Sequence, residues 1–393
     1  MNTSLFLERI NMIDWNKIRK SFPFLKQGII YFDSAANSLK PENVIDSVIN
    51  YYRNFGLSNK NYGITPALKV EEEKQKTREI LTNFLGIKMN EIFFTSGTPD
   101  SLDRISKMLL DVLEDGDEIL LSELNHPSNV LPWIELKKYR KIEVKFSSNL
   151  YNDINEKTKV ISYSQESNNF DFNEDLAKIY KKAKEYKSWV INDAAQAIAH
   201  QKVSFDFCDA FAFSSNKFYG PTGMGVLAVK NELLNFIKPV FVDKKSSIKI
   251  NLDGYFVLQD SGEKFGSRSS NIAGLIQLKE SFIFIQKVGI ENIFNRIKEL
   301  SNYLYTKLNE VENIEIFNKR GSSLYMFNIK GKKAEDIIDY LATKKIILRS
   351  AVFCCNLSPK CKGTKALARI SLGMYNTFEE IDKFIEELKN IDL

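Results

Sequence analysis

The chain has 393 residues, 44% hydrophobic and 27% charged, the balance of a soluble globular protein rather than a disordered or membrane-embedded one. That length exceeds what one compact core ordinarily holds, so two packed domains are expected. The formal net charge of +5 is the difference between 55 basic and 50 acidic residues spread without a long basic block, which argues against nucleic acid as a partner.

The N-terminal stretch has no basic run leading into an apolar one. No later segment approaches the ~20 apolar residues that a bilayer requires. A cytoplasmic protein without membrane contact is the expectation. From about residue 28 to residue 230, short β-rich runs alternate with helical patterns, the signature of a parallel sheet covered by helices on both faces. The strand candidates are Gly28–Asp33, Glu91–Thr95, Glu118–Ser122, Lys159–Tyr163, Trp189–Asn192, Ala210–Ser214 and Gly225–Val229. In such sheets ligands sit beyond the carboxyl ends of the strands. After Thr98, the apolar residues Leu102, Ile105, Leu109, Val112 and Leu113 recur at helical spacing and predict an amphipathic helix whose N-terminus points back at a strand end.

The stretch from about Asn231 to Ser270 is less regular and leads into a helical segment from Asn271. Beyond about residue 290 come strand candidates at Ile314–Phe317 and Ser323–Ile329, a helix at Ala334–Lys344, strands near Ile346–Arg349 and Ala368–Leu372, and a final helix from Thr377. The expected division is a segment 1–25 packing with the small domain, a large domain 26–270, and an inter-domain helix with a smaller α+β domain over 271–393. No repeat or low-complexity linker interrupts it. Cys208, Cys354, Cys355 and Cys361 form no CxxC pair, so neither a disulfide framework nor a zinc site is expected.

The polar residues that follow the strands carry the chemistry. Lys217 stands three residues after a strand end and before the Gly/Pro-rich turn Gly220-Pro221-Thr222-Gly223. A desolvated amine there has a lowered pKa and condenses readily with an aldehyde; a solvated loop lysine is the plainer alternative. Asp193, in Ile191-Asn192-Asp193-Ala194-Ala195-Gln196, offers a carboxylate to keep a pyridine nitrogen protonated, or simply a helix N-cap. Phe94-Thr95-Ser96-Gly97-Thr98 joins a strand to the amphipathic helix and forms an anion site from backbone N–H groups, with plain capping by Thr98 as the other reading. Of the two histidines, His126 lies just past a strand, where an imidazole stacks on a ring or moves a proton; His200 reads as structural.

Taken in order, Tyr31-Phe32-Asp33-Ser34-Ala35-Ala36, Thr95-Ser96-Gly97-Thr98, His126 with Asn129, Asp193-Ala194-Ala195-Gln196 and Lys217-Phe218-Tyr219-Gly220-Pro221-Thr222-Gly223 resemble the class V aminotransferase-fold enzymes. With Ser371-Leu372-Gly373-Met374-Tyr375-Asn376-Thr377, they are most similar to the SUF-type, or group II, cysteine desulfurases and selenocysteine lyases, over nearly the whole chain. The resemblance implies the type I pyridoxal 5'-phosphate (PLP)-dependent aminotransferase fold: an α/β protein with a large, mostly parallel seven-stranded sheet domain and a smaller α+β C-terminal domain. It implies Lys217 as the Schiff-base lysine, His126 stacked on the cofactor ring, Asp193 on the ring nitrogen and Gln196 on the ring oxygen. Phosphate contacts would come from Gly97, Thr98 and Ser214, with Asn216 replacing the family's histidine before the lysine. Ser269 falls where a hydroxyl residue of the partner subunit completes the phosphate site, so a homodimer follows. Asn168 and Arg369 match the positions that hold the substrate carboxylate.

Cys354 stands where the family carries its sulfur-accepting nucleophile, fifteen residues before Arg369, with Cys355 as the alternative. The two histidines that precede that cysteine in the family are Val352 and Phe353 here, leaving Arg349 as the nearby cation that would lower a thiol pKa of ~8.5. The implied activity converts L-cysteine to L-alanine, leaves a persulfide on the enzyme, and hands the sulfur to an acceptor protein, for iron–sulfur cluster assembly or other delivery. The alternatives are a selenocysteine lyase, C–S lyase, epimerase or aminotransferase on the same scaffold, or a non-catalytic binding protein that keeps the fold.

Overall fold

The computed structural model describes residues 13–57, 64–242, 247–258, 262–265, 271–351 and 366–391. Helix α1 (Trp15–Lys20) leads to a two-residue strand β1 (Ile30–Tyr31), then to the long helices α2 (Glu42–Asn54) and α3 (Thr65–Leu85). The large sheet is built from β2 (Ile92–Thr95), β3 (Glu118–Ser122), β4 (Glu143–Ser147), β5 (Thr158–Ser164), β6 (Trp189–Asp193), β7 (Ala210–Ser214) and β8 (Gly225–Val229), in the order β2-β8-β7-β6-β5-β3-β4. Strands β3 to β7 pair in parallel, and β8 runs antiparallel to both β2 and β7. All five residues of β3, β7 and β8 are buried, as in strands covered on both faces. Helices α4 (Thr98–Met108) and α5 (Leu176–Glu185) follow β2 and β5 in the chain, with Leu102 and Ile105 of α4 buried against the sheet.

Two expectations are corrected here. The Gly28–Asp33 run contributes only β1, which lies outside the seven-stranded sheet and pairs in parallel with Ile346–Ile347. The seventh strand is instead β4, whose Glu143, Lys145 and Phe146 face solvent at the sheet edge. Such an edge strand has no continuous apolar run, so composition conceals it. The α4 stripe also stops earlier than its periodicity suggests: the helix ends at Met108, and Leu109 begins a tighter 3-10 turn.

A short hairpin, β9 (Ser247–Ile250) with β10 (Phe256–Leu258), precedes helices α6 (Ile272–Val288) and α7 (Ile290–Leu308). Helix α6 packs against α2 and α3, and Lys279 of α6 pairs with Glu73 of α3. The C-terminal unit has β11 (Ile314–Ile316), β12 (Leu324–Ile329), helix α8 (Ala334–Thr343), β13 (Ile346–Ile347), β14 (Arg349–Ala351), β15 (Leu367–Ser371) and helix α9 (Phe378–Lys389). Its antiparallel sheet has the order β11-β12-β15-β14. The expected Ile346–Arg349 strand is thus two pieces that break at buried Leu348: β13 pairs with β1, and β14 with β15.

That break matters for the site. Because β1 joins β13, and Ser371 N donates to Phe32 O at 2.8 Å, the chain leaving β1 is pinned to the C-terminal sheet, and Asp33 arrives beside Arg349 and Arg369. The last helix is closed by a capping box in which Thr377 and Glu380 satisfy each other's backbone N–H groups. Among the described residues, no helix is long and apolar enough to cross a membrane.

Candidate active site

At the carboxyl ends of β5, β6 and β7 the structure encloses a cavity of about 130 Å³ lined by Thr98, His126, Asn168, Asp193, Gln196, Ser214 and Lys217. Seven residues singled out in the sequence, from segments more than a hundred residues apart, therefore meet at one place.

Lys217 closes a single 3-10 turn (Ser215–Lys217) that begins directly after β7. The turn is held tightly: Ser215 Oγ donates to the carbonyl oxygens of Pro221 and, at 2.9 Å, Met224, while Tyr219 N donates to Ser38 Oγ at 2.7 Å. Tyr219 accepts a positive φ of 57° to complete it. The Lys217 amine makes no hydrogen bond to any described residue. Burial lowers its pKa from the usual lysine value; Asp193 opposes that shift, and Arg369 and Arg349 add to it. An amine so placed spends more time neutral, the form that attacks a carbonyl.

Asp193 is the last residue of β6, and its Oδ1 accepts from Ala195 N at 3.0 Å. Burial raises its pKa, while Lys217, the Ala195 N–H and Ser164 pull it down. A buried carboxylate beside an amine is a pair that a protonated ring nitrogen would complete. His126 caps a 3-10 turn, and its Nδ1 accepts from Ser128 N at 3.2 Å and lies 2.8 Å from Ser128 Oγ. These contacts fix the plane of the ring. Desolvation, reinforced by Lys217 and Arg369, lowers its pKa to about 4, so it is neutral at pH 7.

The anion cradle forms where α4 meets β7 and β8. Ser214 Oγ accepts from Thr98 N at 2.7 Å and lies 2.8 Å from Thr98 Oγ1. The N-cap is Gly97, with φ 154°, and Thr98 is the first helical residue rather than the cap. Gly225 permits this approach: a Cβ there would stand 2.5 Å from Gly97 Cα.

The two arginines converge from the C-terminal sheet. Buried Arg369 donates from Nη1 to Asn168 O at 3.1 Å and from Nη2 to Asp33 Oδ1 at 3.0 Å. Half-exposed Arg349 donates from Nε and Nη2 to Asp33 Oδ2 at 3.1 and 3.0 Å. Gln196 lines the cavity while donating to Ala35 O at 2.9 Å. Asn216 is not brought to the cavity; its amide donates to Ala36 O at 3.2 Å. Ser269, Cys354 and Cys355 lie outside the described residues.

Sequence reasoning missed Asp33 and Glu166. Asp33 sits inside a recognised motif, but nothing local marks it as the counter-ion of two arginines. Glu166 lines the cavity and lies 2.7 Å from Nε2 of His200. A carboxylate two residues before Asn168 was the available signal.

The aminotransferase class-V family profile matches residues 30–384. A probable cysteine desulfurase of Borreliella burgdorferi is 34% identical, with 95% of each chain covered. A second, of Ureaplasma parvum, is 30% identical, covering 95% of this chain and 97% of that one. Among solved structures, the cysteine desulfurase CsdA of Escherichia coli superimposes with a TM-score of 0.89 at 26% identity, covering 97% of this chain and 98% of the other.

Proposed function

The chain belongs to the aminotransferase class-V family, and on that premise we propose that it is a PLP-dependent cysteine desulfurase, taking L-cysteine to L-alanine and passing the sulfur to one of its own cysteines. The observation that carries this reading is the meeting of Lys217, Asp193 and His126 in one cavity with the Gly97–Ser214 cradle at its side.

The residues present fit the cofactor. Thr98 N and the hydroxyls of Thr98 and Ser214, which bond to one another at the N-terminus of α4, would supply the donor set for a phosphate, and Gly225 leaves room for the Gly97 backbone beside them. Asp193 would hold the ring nitrogen in its protonated form, His126 would cover the ring face, and Gln196 would meet the ring oxygen. Bound there, PLP supplies an electron sink for the Cα carbanion of an amino acid.

The protein's own residues divide the remaining work. Lys217 would hold the cofactor through its amine, and the same amine would serve as the base that takes the Cα proton of the substrate. Arg369 and Asn168 bind the substrate carboxylate, Arg369 through its guanidinium fork, with Arg349 placed through the shared Asp33. The Cys354 thiolate attacks the sulfur of the substrate; the S–S bond forms as the C–S bond breaks, leaving a persulfide and alanine.

We further assign residues 26–270 to the cofactor-binding domain, 271–393 to the inter-domain helix and small domain, and 1–25 to a segment packed on the latter. The contact of Arg19 with Glu380 at 2.5 Å and with Tyr375 O supports the last assignment. A homodimer, with the partner's copy of Ser269 at the phosphate, a sulfur-acceptor protein and a cytoplasmic setting complete the proposal.

The test is a spectrum of the purified protein with and without L-cysteine, followed by assay of alanine and sulfide in dithiothreitol. Turnover is expected in the wild type and lost in Cys354→Ala with the yellow cofactor band retained. Unchanged turnover in that variant removes Cys354 from the reaction, and absence of the band removes the cofactor.

A further inference from the structure

On another side of Lys217 lies a smaller space of about 20 Å³, lined by Lys217, Gln196, Ser34, Ser38, Ser371 and His200. Ala35, Ala199, Ile297, Leu324 and Leu372 form the apolar part of its wall, and a space of that size has room for about one water molecule held by the polar side chains. The His200 side chain is 10% exposed, and its Nε2 lies 2.7 Å from Glu166 Oε2. Gln201 donates to the same carboxylate oxygen at 2.7 Å, and Ser323 Oγ donates to the other. The second ring nitrogen, Nδ1, makes no hydrogen bond to a described residue.

His200 and Glu166 also line an open cleft of about 370 Å³ between the loop after β5 and the C-terminal unit. Glu166 therefore faces both this cleft and the cofactor cavity, and His200 faces both the cleft and the small space behind Lys217. The charged groups around His200 are Glu166 beside it, Lys217 across the small space, Lys298 on α7, and Asp171, Lys319 and Arg320 across the cleft.

We infer that His200 is the proton-exchange partner of Lys217, acting through a single water, and that Glu166 is the positioning residue that orients its ring. The inference rests on the reading of Lys217 as the base. One proton passes from the Lys217 ammonium to the water while one of that water's protons passes to His200 Nδ1. The imidazolium so formed stands against the Glu166 carboxylate and loses its proton to solvent in the outer cleft. Lys217 thereby returns to its neutral form without opening the cofactor cavity to bulk water.

Two measurements on the full chain test this. With the holoenzyme in D2O and L-alanine as probe, exchange of the alanine Cα proton followed by NMR is expected to slow about tenfold in His200→Gln and about threefold in Glu166→Gln. Borohydride should still attach the pyridoxyl group to Lys217 in both. The second readout needs no turnover: the chain has only two histidines, so 15N-histidine labelling yields two pairs of imidazole nitrogen signals. Glu166→Gln is expected to move the His200 pair towards the opposite neutral tautomer, because the carboxylate that faces Nε2 is lost. Unchanged exchange with the label at Lys217, or an unmoved His200 tautomer in Glu166→Gln, overturns the relay alone. Failure to label Lys217 in the wild type overturns the relay together with the reading on which it rests. Should His200→Gln not fold, the two Glu166→Gln measurements decide the matter.

Discussion

Nη2 of Arg369 lies 3.0 Å from Oδ1 of Asp33, and Arg349 grips the other oxygen of the same carboxylate. One acidic side chain therefore aims two guanidinium groups, one buried and one half-exposed. Asp33→Asn keeps the shape but removes the charge that orients the fork. A charge-assisted hydrogen bond contributes roughly 1.5–3 kcal/mol, so KM for L-cysteine should rise about tenfold or more. The value of kcat should change less than about threefold, because uniform binding is what is lost. Steady-state kinetics separates the two; a fall in kcat at constant KM would contradict the carboxylate-binding role of Arg369.

Gly225→Ala tests the cradle from below. The new Cβ would stand 2.5 Å from Gly97 Cα and 2.8 Å from Gly97 N, and both neighbours are backbone atoms. Relief requires β2 or the Gly97 turn to move, at about 1–3 kcal/mol. Cofactor affinity is expected to fall about a hundredfold, since small displacements of a positioning element have large effects. Titration of the apoprotein with PLP, followed by absorbance and by Tm, reads both consequences. Wild-type affinity in this variant would show that Gly97 takes no part in holding phosphate.

Lys217, Asp193, His126 and Thr98 were legible in the sequence for one physical reason: each stands at or just beyond the carboxyl end of a strand of an α/β sheet. Residue type and local position together marked them. Asp33 and Arg369 are 336 residues apart, and the β1–β13 pairing that brings them together joins strands of only two residues each. No periodicity survives in an element that short. Glu166 and His200 are 34 residues apart on separate loops, so their contact is a property of the folded chain alone. In the fold, the apolar strands buried on both faces were readable, whereas the edge strand Glu143–Ser147, with three exposed residues of five, was not.

Asp193→Asn should leave the cofactor bound and Lys217 labelled, yet slow turnover. Burial pushes the Asp193 pKa up, and the neighbouring amine restrains it. A neutral amide in that place can hydrogen-bond to a ring nitrogen but cannot hold it protonated. Removal of one preorganised electrostatic partner costs about 10²–10³ in rate, and a loss of that order in kcat is expected. Single-turnover absorbance measurements check it, and a loss below about threefold would release Asp193 from that role.

The pKa of His126 gives a pH prediction with a definite sign. Its folded value is lowered from 6.5 to about 4, first by desolvation and then by Lys217 and Arg369. The unfolded chain therefore binds the extra proton first as pH falls. The stability associated with this histidine is present above pH 6.5 and is lost progressively as pH drops towards 4. Urea denaturation of the apoprotein should show its midpoint falling across that window. His126→Phe keeps an aromatic face but cannot titrate, so its midpoint should fall less steeply over the same range. Between pH 6.5 and 8 the imidazole of the apoprotein stays neutral. Equal slopes for the two proteins between pH 6.5 and 4 would mean that His126 is not desolvated in the folded chain, and a stacked, neutral ring would then be the wrong description of this residue.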